Sequence, residues 1–98
     1  MTEREPEKRP LFALGQVVAT PGALEALGQA SLGALELLGR HVTGDWGDLD
    51  DEDKQLNDRA LTGEDRIFSA YILPTGQKVW VITEWDRSAT TFLLPDEY

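Results

Sequence analysis

The chain has no cysteine among its 98 residues. This absence excludes disulfides, zinc–thiolate sites, iron–sulfur clusters and thiol catalysis. No apolar run approaches the roughly 20 residues of a membrane span, and the opening segment MTEREPEKRP lacks the apolar core of a secretory signal. We therefore expect a cytoplasmic protein. A single asparagine and a single methionine leave few thermolabile side chains, which is typical of thermophilic proteins.

Basic residues are scarce: the chain has 9 Lys and Arg but 18 Asp and Glu, so the net charge is −9. Such a surface repels phosphate backbones and anionic lipids, and this disfavours nucleic acid and membranes as partners. A chain of this length forms one domain. The first ten residues, whose charges cancel around two prolines, are predicted to be a mobile tail over 1–10. Residues 11–98 are predicted to form a single α+β domain.

The N-terminal half predicts a short strand followed by three helices. The apolar segment LFALGQVVAT indicates a strand near 16–19. Thr20 and Pro21 are suited to begin the first helix as N-cap and first helical residue, and Gly28 is expected to end it.

Ser31 is expected to cap the second helix, which should end near 41–44. Its predicted buried face consists of Leu35, Leu38 and Val42. A third, highly charged helix is predicted from about Asp50 to Leu61, with Gly63 as its stop.

The C-terminal half changes to a pattern rich in β-branched and aromatic residues, in RIFSAYIL, KVWVITEW and TTFLL. The linker LPTGQ predicts a tight hairpin with Leu73 opposite Gln77. For the next hairpin we expect Glu84 opposite Thr91 and Ile82 opposite Leu93. The predicted fold is therefore α+β: an N-terminal short strand and three helices, followed by a three-stranded antiparallel meander.

The stretch RHVTGDWGDLDDED concentrates acids, glycines and the single histidine. A calcium loop starting at Asp48 would need glycine at its sixth position and glutamate at its twelfth. The sequence has Asp53 and Arg59 there. We therefore expect no metal site and no cofactor, and interpret Asp48 as the N-cap of the third helix, with the following acids in its first turn.

Two glycines, Gly44 and Gly47, bracket Trp46 and indicate a tight loop with positive φ. Trp46 is expected to anchor this loop on the core, and the alternative is an aromatic that grips a partner. His41 is interpreted as structural, favoured by the C-terminal dipole of the second helix and hydrogen-bonded by Asp45 or Asp48. The functional alternative is a general acid or base.

A second polar cluster, TEWDRSATT, interrupts the strand pattern. The structural interpretation is a polar hairpin end in which Arg87 forms a surface ion pair with Glu84 or Asp86. The alternative is a metal-independent, ribonuclease-like hydrolase, with base, phosphate clamp and acid drawn from a small set of residues. That set is His41, Glu84, Arg87 and Thr91.

The stretches HVTGDWGD and LPTGQKVWVITEWDRSATTFLLPDEY resemble a family of short bacterial proteins that are often carried on plasmids and mobile elements. The resemblance covers residues 11–98 and implies no established activity. The order of helices followed by an antiparallel sheet is also similar, at the level of fold alone, to barnase and RelE-type ribonucleases. The net negative charge of the chain argues against the likeness to ribonucleases, because most such enzymes hold RNA on a basic surface.

Both faces of the predicted sheet are apolar, and the third helix is too polar to cover either of them. We therefore predict a non-enzymatic interaction module that forms a homodimer, or binds another protein, through one face. Its predicted contact residues are Phe68, Ile72, Trp80, Ile82 and Leu93. The alternative is that the first two helices cover one face and the N-terminal apolar segment covers the other. A DNA-mimic inhibitor is a variant, since residues 45–65 hold nine acids and two bases.

Overall fold

A four-stranded sheet with the strand order β1-β4-β3-β2 is the centre of the computed structural model, which describes residues 9–98. The elements follow in this order: β1 (Gln16–Ala19), α1 (Pro21–Gln29), α2 (Ala34–Val42), α3 (Asp51–Ala60), β2 (Ile67–Ile72), β3 (Lys78–Thr83), β4 (Ala89–Leu93) and a 3₁₀ turn (Pro95–Glu97). The predicted α+β class is confirmed. The antiparallel meander β2-β3-β4 is joined by β1, which lies parallel to β4, so the sheet has four strands. Most of the predicted tail, residues 1–8, lies outside the described residues.

The two hairpins differ in how closely they follow the predicted register. In the first, the Leu73 amide donates to the Gln77 carbonyl at 2.7 Å, as predicted. In the second, Ile82 lies opposite Thr91 and Trp80 lies opposite Leu93, so the predicted register was wrong by two residues. The Asp86 carboxylate accepts from the Ser88 amide at 3.1 Å, and the Glu84 amide donates to the Ala89 carbonyl at 2.9 Å, so the turn is centred on residues 85–88. Because the shift is even, every side chain stays on its predicted face.

The first helix begins as predicted and ends later. The Thr20 hydroxyl accepts from the Ala23 amide at 3.1 Å, and Pro21 is the first helical residue. Gly28 lies inside α1 rather than ending it, and the chain leaves the helix through Ser31, whose φ is 53°. The N-cap of α2 is Gly33, which offers no side chain, so the prediction of a Ser31 cap was wrong. Ser31 does not cap because its backbone is left-handed rather than extended and because it lies two residues before the cap position.

The buried side of α2 is rotated from the prediction. Leu37, Leu38 and His41 are buried, whereas Leu35 is 83% exposed. The helix also begins later than a Ser31 cap would allow. The tertiary contacts of α2 with the sheet, rather than its apolar spacing alone, decide which side is buried.

The third helix begins at Asp51 with Asp50 as N-cap, and the Asp50 carboxylate accepts from the Asp53 amide at 2.9 Å. The prediction of Asp48 as the cap was wrong, because the Asp48 amide is bound to the Ala70 carbonyl at 2.6 Å beside β2. Asp51, Glu52 and Asp53 occupy the first turn, where the helix dipole favours negative charge. The acidic run is therefore a helix start, as predicted, and the helix begins within one residue of the predicted position, with its cap two residues later than predicted.

All three helices pack on the same side of the sheet. The main core joins α1 and α2 to the inward side chains of the strands, and its buried members are Ala23, Ala26, Leu27, Leu37, Leu38, Tyr71, Leu73, Val79, Val81 and Phe92. A smaller cluster joins Trp46, Ala60 and Ile67 beside α3. Phe12 and Leu14 pack against these same clusters. Phe12 and Leu14 therefore lie on the helix side, and residues 16–19 form the edge strand β1. The predicted alternative, in which the N-terminal apolar segment covers the second face of the sheet, was wrong.

Candidate functional site

The side of the sheet opposite the helices carries the five residues predicted to bind a partner. Alternation along β2, β3 and β4 places these side chains together. We call this surface the open face and define it by Phe68, Ile72, Trp80, Ile82 and Leu93. Ile72 is 57% exposed, Phe68 and Trp80 are half-buried, and Ile82 and Leu93 are 7% exposed. The open face therefore has a buried floor, two half-buried aromatic rings and one exposed aliphatic side chain.

A cavity of about 210 Å³ opens on this face and is lined by Arg66, Phe68, Trp80, Ile82 and Tyr98. The rings of Phe68 and Trp80 stand at 87° with centroids 5.0 Å apart. Those of Trp80 and Tyr98 stand at 66° with centroids 5.7 Å apart. Rings that meet edge to face hold one another in place. Three aromatic walls and an aliphatic floor make the cavity a suitable receptor for one apolar side chain.

The C-terminal turn positions Tyr98 as a wall of this cavity. The Glu97 carboxylate accepts from the Thr20 hydroxyl at 2.6 Å and from the Leu94 amide at 2.8 Å. These bonds, that of Thr20 first, lower the pKa of Glu97 below its usual range. The Tyr98 hydroxyl accepts from Nη1 of Arg66 at 2.7 Å. The turn is thus tied to the start of α1 on one side and to β2 on the other.

The basic groups beside the open face each meet a carboxylate. Arg66 Nε lies 3.3 Å from Oε1 of Glu84, and Lys78 Nζ lies 3.5 Å from Oδ2 of Asp48. The acid-rich α3 instead packs through Ala60 on the helix side of the sheet. The net charge of −9 is therefore not concentrated on the open face.

His41 lies sealed in the core on the helix side, with 0% exposure. Its Nδ1 is 2.5 Å from the Ser69 hydroxyl and its Nε2 is 2.9 Å from the Thr83 hydroxyl. The prediction that Asp45 or Asp48 would bind it was wrong, because Asp45 forms an ion pair with Arg40 at 2.7 Å. Burial lowers the pKa of His41 from 6.5 to about 4, so the ring is neutral at pH 7.

A chain of hydrogen bonds fixes the tautomer of this neutral ring. The Thr90 hydroxyl donates to the Leu14 carbonyl at 2.7 Å, so its single proton is used there. In the 2.7 Å contact between the two threonines, Thr83 is therefore the donor and Thr90 the acceptor. Thr83 has then no proton left for His41, so Nε2–H donates to Thr83 and Nδ1 accepts from Ser69. The network ties four elements to the N-terminal segment.

The four residues of the hydrolase alternative do not come together. Thr83 faces His41, and the next residue, Glu84, points to the opposite side of the sheet by alternation. Thr91 pairs with Ile82 and shares its open-face orientation. The sheet therefore separates His41 from both Glu84 and Thr91.

Arg87, the fourth of these residues, is engaged by backbone carbonyls. Its guanidinium donates to the carbonyls of Ala60 at 2.7 Å, Asp65 at 2.6 Å and Glu84 at 3.1 Å. The expected contacts of Arg87 with the Glu84 or Asp86 carboxylates were wrong, since Glu84 pairs with Arg66. Arg87 thus fastens the β3–β4 hairpin to the end of α3.

The GDWG loop, residues 44–47, fastens the connection between α2 and α3 to strand β2. Trp46 is 4% exposed, and its Nε1–H donates to Asp58 at 3.2 Å, which confirms the anchor interpretation. Gly44 and Gly47 have φ values of 93° and 75°, as predicted. A Cβ atom on Gly47 would collide with the Ala70 carbonyl. The loop therefore approaches β2 more closely than any residue with a side chain allows.

Sequence reasoning missed Ser69, Thr83 and Thr90 as partners of the histidine. A signal was present, since each occupies an inward position among apolar residues of its strand: Ser69 between Ile67 and Tyr71, and Thr90 two residues before Phe92. Tyr98 as a cavity wall had no comparable signal, because it lies beyond the last strand.

Within residues 9–98, no group of three or more His, Asp or Glu side chains is arranged to hold a metal ion. In the same part of the chain, no helix has the length and apolarity needed to cross a bilayer. No protein-family model, curated protein or solved structure matches the chain.

Proposed function

We propose that the protein is a non-enzymatic interaction module whose open face pairs with the open face of a second copy. The observation that carries this proposal is the one-sided packing of α1, α2 and α3. It leaves an apolar, aromatic-lined face on which none of these helices packs, and which the C-terminal turn covers only in part through Tyr98. A link to plasmid or mobile-element biology is what the family resemblance adds to the proposal.

The size of the cavity favours a protein over a small molecule as partner. Small-molecule pockets usually enclose about 300–1,000 Å³, whereas this cavity has about 210 Å³. A space of this size accommodates one large side chain. Interfaces gain most of their free energy from a few such anchored side chains, surrounded by contacts that exclude water. The cavity is therefore proposed as the centre of the interface.

A second copy meets the requirements of this surface. Two identical faces related by a two-fold axis cover each other and close the assembly. Full burial of a large apolar side chain contributes roughly 1.5–3 kcal/mol. Ile72, Phe68 and Trp80 begin partly exposed, so each contributes part of that amount. The paired charges Arg66–Glu84 and Lys78–Asp48 bring no net charge of like sign to the contact.

A matched pair of substitutions tests the proposal. Ile72 on the open face and Trp85 in the β3–β4 turn are 57% and 54% exposed, so lysine at either position costs the isolated fold little. Sedimentation equilibrium should show the wild type above its monomer mass of 10.9 kDa. We expect Ile72→Lys to weaken association at least tenfold and Trp85→Lys to leave it within about twofold. Equal association of the two variants, or a strictly monomeric wild type, contradicts the proposal.

A further inference from the structure

The two edges of the sheet differ in whether their backbone groups are engaged. At the β2 edge, the Asn57 side chain donates to the Phe68 carbonyl at 2.6 Å and accepts from its amide at 3.1 Å. The Ala70 amide donates to the Trp46 carbonyl at 3.2 Å, and the Ala70 carbonyl accepts from Asp48 at 2.6 Å. Unpaired backbone groups at a sheet edge are a template for another strand. At β2 the outward backbone groups of Phe68 and Ala70 are engaged, and these contacts exclude a further strand along the middle of β2.

Within the described residues, 9–98, the β1 edge lacks such protection. The amides of Gln16 and Thr20 donate to the carbonyls of Ser88 and Phe92, both at 3.0 Å, so the even-numbered residues face β4. Val17 and Ala19 consequently turn their N–H and C=O groups away from the sheet. Over residues 9–98 no strand lies beyond β1. Val17 and Val18 are 43% and 41% exposed, and the strand contains no proline or charged residue to discourage pairing.

We propose that β1 pairs antiparallel with β1 of a second copy, which joins two four-stranded sheets into one continuous sheet. A two-fold axis through Val18 places the two Val18 residues opposite each other. Val17 of each copy then lies opposite Ala19 of the other, and each of these pairs exchanges two backbone hydrogen bonds. Gly15, with φ 65°, turns the chain out of the extended conformation and ends the pairing.

The charge distribution identifies a second copy as the occupant. No charged residue occurs from Pro10 to Leu24, the longest uncharged stretch of a chain with net charge −9. Two copies therefore meet along β1 without bringing ionised side chains of this segment together. A foreign strand with basic side chains would gain no ion pair from it. Directly opposed β-branched residues such as two valines also stabilise an antiparallel pair.

Edge pairing leaves the open faces available. Residues directly opposite in an antiparallel pair point to the same side of the sheet, so both copies present their open faces on one side. Two such joined sheets can then stack through these faces into a closed assembly of four chains. This last step rests on the proposed function, whereas the edge pairing does not.

Val17→Pro is the decisive variant. The Val17 amide points away from β4, so proline removes no hydrogen bond within the chain but blocks one between copies. Val17→Thr is the control, because it keeps both the amide and the β-branched side chain. We expect sedimentation to give four chains for the wild type and for Val17→Thr, and two chains for Val17→Pro and for Ile72→Lys. The double variant Val17→Pro/Ile72→Lys should be a monomer.

Each other outcome decides between the interfaces. If Val17→Pro is folded by circular dichroism and retains the wild-type mass, the edge proposal is overturned. If the wild type and Ile72→Lys both contain two chains while Val17→Pro is monomeric, the edge proposal stands and the open-face proposal fails. If Val17→Pro does not fold, hydrogen exchange of the Val17 amide in the wild type decides. Protection at high protein concentration and its loss on dilution support edge pairing, and fast exchange at both concentrations overturns it.

Discussion

His41 and Thr83 are joined by a 2.9 Å hydrogen bond from Nε2 to the hydroxyl oxygen. This bond begins a relay that continues through Thr90 to the carbonyl of Leu14. The residue that the hydrolase alternative used as a general acid or base therefore fastens the helix layer and the N-terminal segment to the sheet. These contacts depend on the neutral form of the ring.

The buried histidine gives the fold a defined pH dependence. The pKa of His41 is about 4 in the folded chain and 6.5 when unperturbed. Between these values the unfolded chain binds a proton that the folded chain does not, so stability increases with pH. The contribution is fully present above about pH 6.5 and is lost as the pH falls toward 4. Across the difference of about 2.5 units it amounts to about 3.5 kcal/mol, of which about 3 kcal/mol is lost by pH 4, because each pKa unit is equivalent to about 1.4 kcal/mol.

Chemical denaturation of the wild type and His41→Gln at pH 7.5 and 4 isolates this contribution. The other acids titrate equally in both proteins. We expect the loss of unfolding free energy between the two pH values to be about 3 kcal/mol smaller in the variant. An identical loss in both proteins would show that His41 is not the titrating group.

Two glycine substitutions should change stability in opposite directions. Gly47→Ala places a Cβ atom against the Ala70 carbonyl at a φ of 75°, and should destabilise the fold by more than about 2 kcal/mol. Gly39→Ala lies inside α2 with no atom within 4 Å of the added carbon. It should stabilise by about 0.5–1 kcal/mol through helix propensity. Thermal melts compare the two, and an increase in Tm for Gly47→Ala would show that the loop does not approach β2 as described.

The start of α3 can be located by removing one carboxylate at a time. Asp50→Ala removes the cap of the Asp53 amide and should cost about 0.5–2 kcal/mol. Asp48→Ala removes an exposed ion pair with Lys78 at 3.5 Å and should cost about 0–1 kcal/mol. Urea titrations measure both changes. A larger loss for Asp48→Ala would place the cap where the sequence alone had suggested it.

Local signals in the sequence predicted the helices and strands well, but they did not predict the features that depend on tertiary contacts. The Thr20-Pro21 start, the Leu73–Gln77 hairpin and the Trp46 anchor each follow from the chemistry of a few adjacent residues, and each was found. Which side of α2 is buried depends on the shape of the sheet, so Leu35 was misassigned. The β3–β4 register depends on the conformation of the turn at Asp86, which leucine and threonine spacing does not encode.

In the candidate site, too, local patterns were predictive and long-range contacts were not. Alternation along the strands was sufficient to place Trp80 and Ile82 on one face, even with the register displaced. The cavity required Tyr98, whose position is set by contacts of the C-terminal turn with Thr20 and Arg66. Such long-range contacts are absent from any local pattern, and so the cavity was not foreseen.

Association through the open face should tighten as salt is added. Each chain carries a net charge of −9, and the resulting repulsion is screened when the Debye length falls from about 10 Å at 0.1 M salt to about 3 Å at 1 M. The double variant Asp51→Asn/Glu52→Gln removes two negative charges and so changes the net charge from −9 to −7. This variant should associate more tightly than the wild type at low salt, and its association constant should change less as salt is added. Weaker association at high salt would instead indicate attractive ion pairs across the interface.

The most direct test of the open face as the contact surface is the exposure of Trp80 to a fluorescence quencher. In a Trp85→Phe variant only Trp46 and Trp80 remain, and Trp46, at 4% exposure, is shielded at every concentration. Acrylamide quenching then reports Trp80. We expect quenching to fall at least twofold as the protein concentration rises from about 0.1 to about 50 µM, and to stay constant when Ile72→Lys is added. Quenching that is unchanged by concentration, while sedimentation shows association, would contradict the open face as the place where the chains meet.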